Sequence, residues 1–222
     1  MVVATVVEAP SMKSLVQSSN KIPKMKYFKL TIFILIFLGI LGRPLSAQAE
    51  TILEDVFIGE DTTLLASDSP FIIKGELDVF EGVTLTLSPG VELIFSDRSY
   101  LQVSGQLVAL GTEEAPIHFH SDSASSDDWG VAFYGDDSNP AAQSRLLQVD
   151  FEGSNQGLFL SDSNVQIEHS HFHDLRSGFW FSNSNLSLTD TIFSDIKYDA
   201  VSGEGCTLIF ASTSVSRLDH GD

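Results

Sequence analysis

The chain of 222 residues has one cysteine, Cys206. A disulfide framework is therefore excluded, and so is any zinc site built on paired cysteines. Positive charge is also scarce, with 12 Lys/Arg against 30 Asp/Glu. Residues 1–49 take six of those basic residues and one acid, Glu8, which leaves 50–222 with six basic and 29 acidic groups, a formal −23. Such a surface repels nucleic acid, anionic lipid and polyanionic glycans, so nucleic acid is excluded as a partner. Sustained helical periodicity is missing throughout. The longest apolar run, 30–41, makes only ~18 Å of helix at ~1.5 Å per residue, short of a ~30 Å hydrocarbon core.

That short run has a different meaning. In "KIPKMKYFKLTIFILIFLGILGRPLSAQAE" four lysines precede it, and Ala47-Gln48-Ala49 follows it. A basic region, an apolar region and a small-residue cleavage pattern make a secretory signal peptide over 1–49, cut after Ala49. A retained anchor is the alternative; after cleavage no membrane span is expected. No cysteine follows the run, so a lipoprotein anchor is unsupported. Residues 1–24 are unusual upstream of a signal, and Met25 makes a more ordinary start. The expected address is extracellular or the cell envelope.

The remainder alternates apolar and polar residues in short bursts, as in Val83-Thr84-Leu85-Thr86-Leu87, with turn signals such as Ser88-Pro89-Gly90 between them. These are strands. Phe151, Phe172 and Phe193 recur at a period of 21, as do Leu146, Ile167 and Leu188, and Gly157 and Gly178. A repeat near 21 with short strands and no helix predicts a β-solenoid whose coils stack at ~4.8 Å. The expected layout is a cap over 50–70 and the solenoid over 71–222. No C-terminal cap is recognisable, which suggests truncation or a partner at that end. The polar, acidic segments of 121–145 interrupt the rhythm and read as protruding loops.

The stretches "GVTLTLSPGVELIFSDRSYLQVSGQLVALGTEEAPIHFHS", "DDWGVAFYG" and "LFLSDSNVQIEHSHFHDLRSGFWFSNSNLSLTDTIFSDI" resemble the secreted right-handed parallel β-helix proteins of the pectate-lyase-like superfamily. The resemblance implies an all-β, right-handed parallel β-helix. It says little about activity, because that fold carries lyases, glycoside hydrolases, adhesins and noncatalytic proteins.

Several candidate sites follow. In "HSHFHD" the inward Phe172 turns His171 and His173 outward, with His169 at the entering turn. A shift of 21 adds Asp150, Glu152 and Asp190. These six offer enough nitrogen and oxygen for Zn²⁺. A flat strand face seldom closes a tetrahedral site, so the favoured reading is a charge-complementary ladder of His and carboxylate. Its imidazoles should then hold protons to higher pH than free imidazole. His118 and His120 form a smaller outward pair.

Asp122, Asp127, Asp128, Asp136 and Asp137 in the acidic loops suit Ca²⁺, though no D-x-D-x-D-G loop or Gly-Gly-x-Gly-x-Asp repeat is present. Asp127 and Asp128 are also the candidate catalytic acids of a glycoside hydrolase, which needs two carboxylates around the scissile bond. The resemblance would require Gly-His-Gly and Arg-Ile-Lys elements for a polygalacturonate hydrolase, and Arg or Lys bases for a lyase. The first two are absent, and the six basic residues after 49 are scattered. Phe159, Trp180 and Phe181 are candidates for stacking on sugar rings, although some must be core. Cys206 reads as a small buried core residue. The reading favoured over a carbohydrate-active enzyme is a secreted noncatalytic surface, adhesive or matrix module, with a polysaccharide or cell-surface ligand as partner.

Overall fold

A computed structural model describes residues 50–122, 128–135 and 143–218. The leader expected over 1–49 lies outside the described residues. Every strand pairing is parallel, and the strands run to at most nine residues. They close into a solenoid of three faces with coils of about 22 residues.

The first face stacks Glu92–Phe95, Ile117–Ser121, Val149–Glu152, His171–His173, Ile192–Ile196 and Ser214–Leu218. The second stacks Tyr100–Val103, Gly130–Tyr134, Gln156–Ser161, Ser177–Ser182 and Val201–Glu204. The third is a 7-stranded sheet from Thr62–Leu64 to Thr207–Ala211. Two long strands, Thr51–Ile58 and Phe71–Val79, bend through both of the first two faces and join them at the N-terminal end. Among the described residues no helix is long and apolar enough to cross a membrane.

Corners, rather than loops, make the coil. From residue 148 onward each one turns on a single residue in the left-handed region. Gly153, Asp174 and Asp195 turn the first face into the second; Asp162, Asn183 and Gly205 turn the second into the third; Gln148, His169, Asp190 and Ser212 return the chain to the first. Asp, Asn and Gly tolerate this conformation best, which accounts for the spacing of those residue types in the sequence. Serines then fill the corners. Ser163 Oγ donates to Ser161 O at 2.6 Å and Ser184 Oγ to Ser182 O at 2.7 Å, while Ser163 N donates to Ser184 Oγ on the next coil at 3.1 Å. The backbone groups that a sharp corner strands are thereby satisfied.

Alternation does the rest. Through the middle of the stack every second side chain of a strand enters the core, as in Glu92–Phe95 and Tyr100–Val103. The first face contributes a phenylalanine column, with ring centroids 6.4 Å apart from Phe95 to Phe119, 5.7 Å to Phe151, 5.4 Å to Phe172 and 5.6 Å to Phe193. The expected stacking of Phe151, Phe172 and Phe193 is therefore present, and it extends two coils further. Trp129 wedges between Phe95 and Phe151, at 4.4 and 4.8 Å. Opposite, Leu146, Ile167 and Leu188 pair in register, as their spacing predicts. Each such side chain contributes ~1.5–3 kcal/mol on burial.

Gly178 repeats Gly157 because backbones meet there: a Cβ on Gly178 would run into the carbonyl of Ala200. The acidic inserts at 123–127 and 136–142 lie outside the described residues, but the register survives across them, with Phe119 paired to Phe151 and Val131 to Leu158. Residues 51–64, expected as part of a cap, themselves pair as a coil, Thr51 with Phe71 and Thr62 with Leu85. At the other end Phe210 and Val215 sit in register with the buried Leu188 and Phe193, yet are about half exposed, at 51% and 49%.

Candidate functional site

The first face carries the histidines. Phe172 is fully buried, so its neighbours His171 and His173 face outward, as alternation requires. Register sets Asp150 beside His171 and Glu152 beside His173. Side-chain rotamers then draw the groups closer than a flat ladder would. Asp150 Oδ1 lies 3.6 Å from His171 Nδ1 and 3.3 Å from His173 Nε2. The two imidazoles stack at 4.3 Å.

Each of these three groups has a further partner. His173 Nδ1 lies 2.8 Å from Asp174 Oδ2, His171 Nε2 lies 2.8 Å from Ser194 Oγ, and His118 Nδ1 lies 3.4 Å from Asp150 Oδ2. The six expected ligands thus do not form one patch. Asp150, His171 and His173 converge; Glu152 gathers with His173 and Asp174 on the other side of that ring. His169 and Asp190 stand apart as a pair at 3.6 Å, because both are corner residues in the left-handed region and point away from the strand.

Charge is unevenly distributed here. The hydrogen bond from His173 holds the Asp150 carboxyl below its usual range, although burial opposes this. The hydrogen bond to Asp150 raises His173 to about 9, with help from Asp174. His171 moves the other way: burial lowers it first, and repulsion from His173 adds to that. The expectation that the imidazoles hold protons to higher pH than free imidazole therefore holds for His173 and is corrected for His171. Two stacked rings beside one carboxylate favour one positive charge, and His173, with two carboxylates, takes it.

His118 is the ligand partner that the 21-residue period misses, since an insert separates it from Asp150. The shared apolar-x-Phe pattern of Ile117-His118-Phe119 and Val149-Asp150-Phe151 is the signal that pairs them. His120 is engaged elsewhere, 2.8 Å from Glu92 Oε1.

The second face carries a different feature. Of the three aromatics expected to stack on sugars, Phe181 is core, whereas Phe159 and Trp180 face outward. Their rings stack at 5.0 Å and 17°, and Tyr134 adds a third ring 5.6 Å from Phe159. Two shallow hollows flank this ladder and share Asn155 and Gln156. Arg176 lies in one, donating to Asn155 Oδ1 at 3.2 Å and standing over the Tyr198 ring at 5.7 Å.

Asp128 lies in the other hollow and accepts a 2.8 Å hydrogen bond from Tyr100 Oη, which, together with burial as the larger cause, lifts the phenol to about 12. Asp127, its expected catalytic partner, lies outside the described residues, as do Asp136 and Asp137. Asp122 is exposed. Asp78, which no motif or period in the sequence singles out, is a second-face residue whose Oδ1 is buried without a partner and whose carboxyl burial pushes up. Cys206 is not core: it occupies the corner position of Ser184 one coil on, with Sγ 2.7 Å from Glu204 O.

Comparison with known proteins adds little to the fold. No family model matches the chain, and no solved structure matches it. Protein bark beetle of Drosophila melanogaster is 33% identical over 78 residues, which is 35% of this chain and 2% of that protein. The chain therefore spans a very small part of that relative, whose name states no ligand or reaction.

Proposed function

We propose that the protein is a secreted, noncatalytic solenoid module of the cell surface or matrix that holds a neutral polysaccharide along its second face. The observation that carries this reading is the outward-facing ladder Tyr134–Phe159–Trp180, exposed at Tyr134 and Trp180 and half-buried at Phe159. Large aromatics in a sheet face open to water mark a binding surface, because their burial awaits a partner. Stacked rings on neighbouring coils offer flat apolar area to the C–H faces of successive sugars. Asn155, Gln156 and Arg176 supply hydrogen bonds beside it for hydroxyl groups. The formal −23 over 50–222 disfavours polyanionic glycans, which leaves uncharged ones. The leader-like segment 21–49 supports export.

The test is a binding screen of the purified protein on neutral polysaccharides, with product analysis on the same samples. Trp180→Ala and Phe159→Ala should each weaken binding at least tenfold while the fold is kept. Retained binding in both variants, or no binding to any neutral polysaccharide, would defeat the reading. Release of shortened products would transfer the protein to the carbohydrate-active enzymes.

A further inference from the structure

The convergence on the first face has a consequence for cation binding. Asp174 is a carboxylate, so the nitrogen facing it, His173 Nδ1, must donate. In neutral His173 that leaves Nε2 as a bare acceptor, and it is aimed at another acceptor, Asp150 Oδ1, at 3.3 Å. His171, with Nε2 engaged by Ser194 Oγ, turns Nδ1 to the same oxygen at 3.6 Å. A proton on His173 Nε2 satisfies this oxygen; a metal ion that displaces it would find as ligands that nitrogen, Asp150 Oδ1 and, in the tautomer whose Nε2–H donates to Ser194 Oγ, His171 Nδ1. The distances suit a metal: ~2.0 Å bonds in a tetrahedron place ligand atoms ~3.3 Å apart. The rings now stack, so each must swing about χ2 to bring its lone pair onto the shared point. That torsion is broad and soft.

We propose that Asp150 Oδ1, His171 Nδ1 and His173 Nε2 form a Zn²⁺ site that clamps one coil of the solenoid to the next. Two imidazoles and one carboxylate are a zinc donor set, and a fourth position stays open for water. In the metal-free arrangement each ligand already has an outer partner within reach: His118 for Asp150, Ser194 for His171 and Asp174 for His173. Such outer partners fix the orientation of metal ligands and are what a mere row of surface charges lacks. Calcium, which takes ~6–8 oxygen ligands, is a poor match for this nitrogen-rich set. The site stands on a different face from the aromatic ladder and does not depend on it.

Isothermal titration of the chelator-stripped protein with Zn²⁺ decides the matter, with Co²⁺ absorption as the reporter of geometry. One Zn²⁺ per chain is expected, with intense tetrahedral Co²⁺ bands, and with Ca²⁺ binding at least a hundredfold weaker. His171→Asn and Asp150→Asn should each weaken Zn²⁺ binding more than tenfold, whereas His169→Asn and His120→Asn should leave it unchanged. Zinc should raise the melting temperature of the parent and not of His171→Asn. Absence of an isotherm would show that the cluster binds protons only. That result, binding that survives both ligand substitutions, or loss equally caused by His169→Asn, overturns the proposal.

Discussion

Phe172 is the most demanding test of the core. Its side chain is fully buried in the middle of the aromatic column, stacked on Phe151 at 5.4 Å and Phe193 at 5.6 Å and meeting Phe179 edge-on at 4.6 Å. Truncation to alanine removes the transfer free energy of the ring and leaves a cavity between coils that hydrogen-bonded backbones hold apart. That class of change costs ~3–5 kcal/mol, and the upper end applies because the flanking strands cannot collapse inward. Phe172→Leu keeps most of the volume and loses the aromatic pairs, so about 1–2 kcal/mol is expected.

Solenoid stability sums over neighbouring coils, so position matters. Phe193 has only the half-exposed Val215 beyond it, and Phe193→Ala should cost less than Phe172→Ala. Urea unfolding followed by far-UV circular dichroism and by Trp129 fluorescence measures all three. A loss below about 2 kcal/mol for Phe172→Ala, or a larger loss at Phe193, would refute the stacked-column account.

Three further outcomes are expected. In metal-free protein, NMR titration should place His173 near pH 9 and His171 below the usual imidazole value. The raised His173 contributes stability that is complete below the unfolded pKa near 6.5 and is lost as pH rises through about 9; the lowered His171 contributes stability present above 6.5 and lost as pH falls through its folded value. Melting temperatures across pH 5–10 check both signs, and similar titration of the two rings would contradict the shared-charge geometry. Gly178→Ala should destabilise by ~1–3 kcal/mol, since its Cβ meets the Ala200 carbonyl, and more than Gly157→Ala, where the nearest atoms are 3.0 Å away; denaturant midpoints decide the order. Mass spectrometry of exported protein should find Glu50 at the N-terminus, and an intact chain beginning at Met1 or Met25 would argue for an anchor.

The solenoid was legible in the sequence because its determinants are local and repeated. Alternation at a period of two fixes which side chains face inward, and the 21-residue recurrence of Phe, aliphatic and Gly positions fixes the coil. The pairing of His171 with Asp150 follows from those two rules alone. The corners were written there too, in Asp162, Asn183 and Gly205, as residues that accept a left-handed backbone. Three things required the tertiary structure. Trp129 reaches the Phe95–Phe151 gap from a segment with no repeat to place it. His118 joins Asp150 only because the stack resumes its register after an insert, which a fixed period cannot follow. Of six spaced ligands three converge, since a repeat dictates which face a residue occupies, whereas the aim of its donor atoms depends on rotamers set by side-chain partners, Asp174 beside His173 in the chain and Ser194 on the next coil among them.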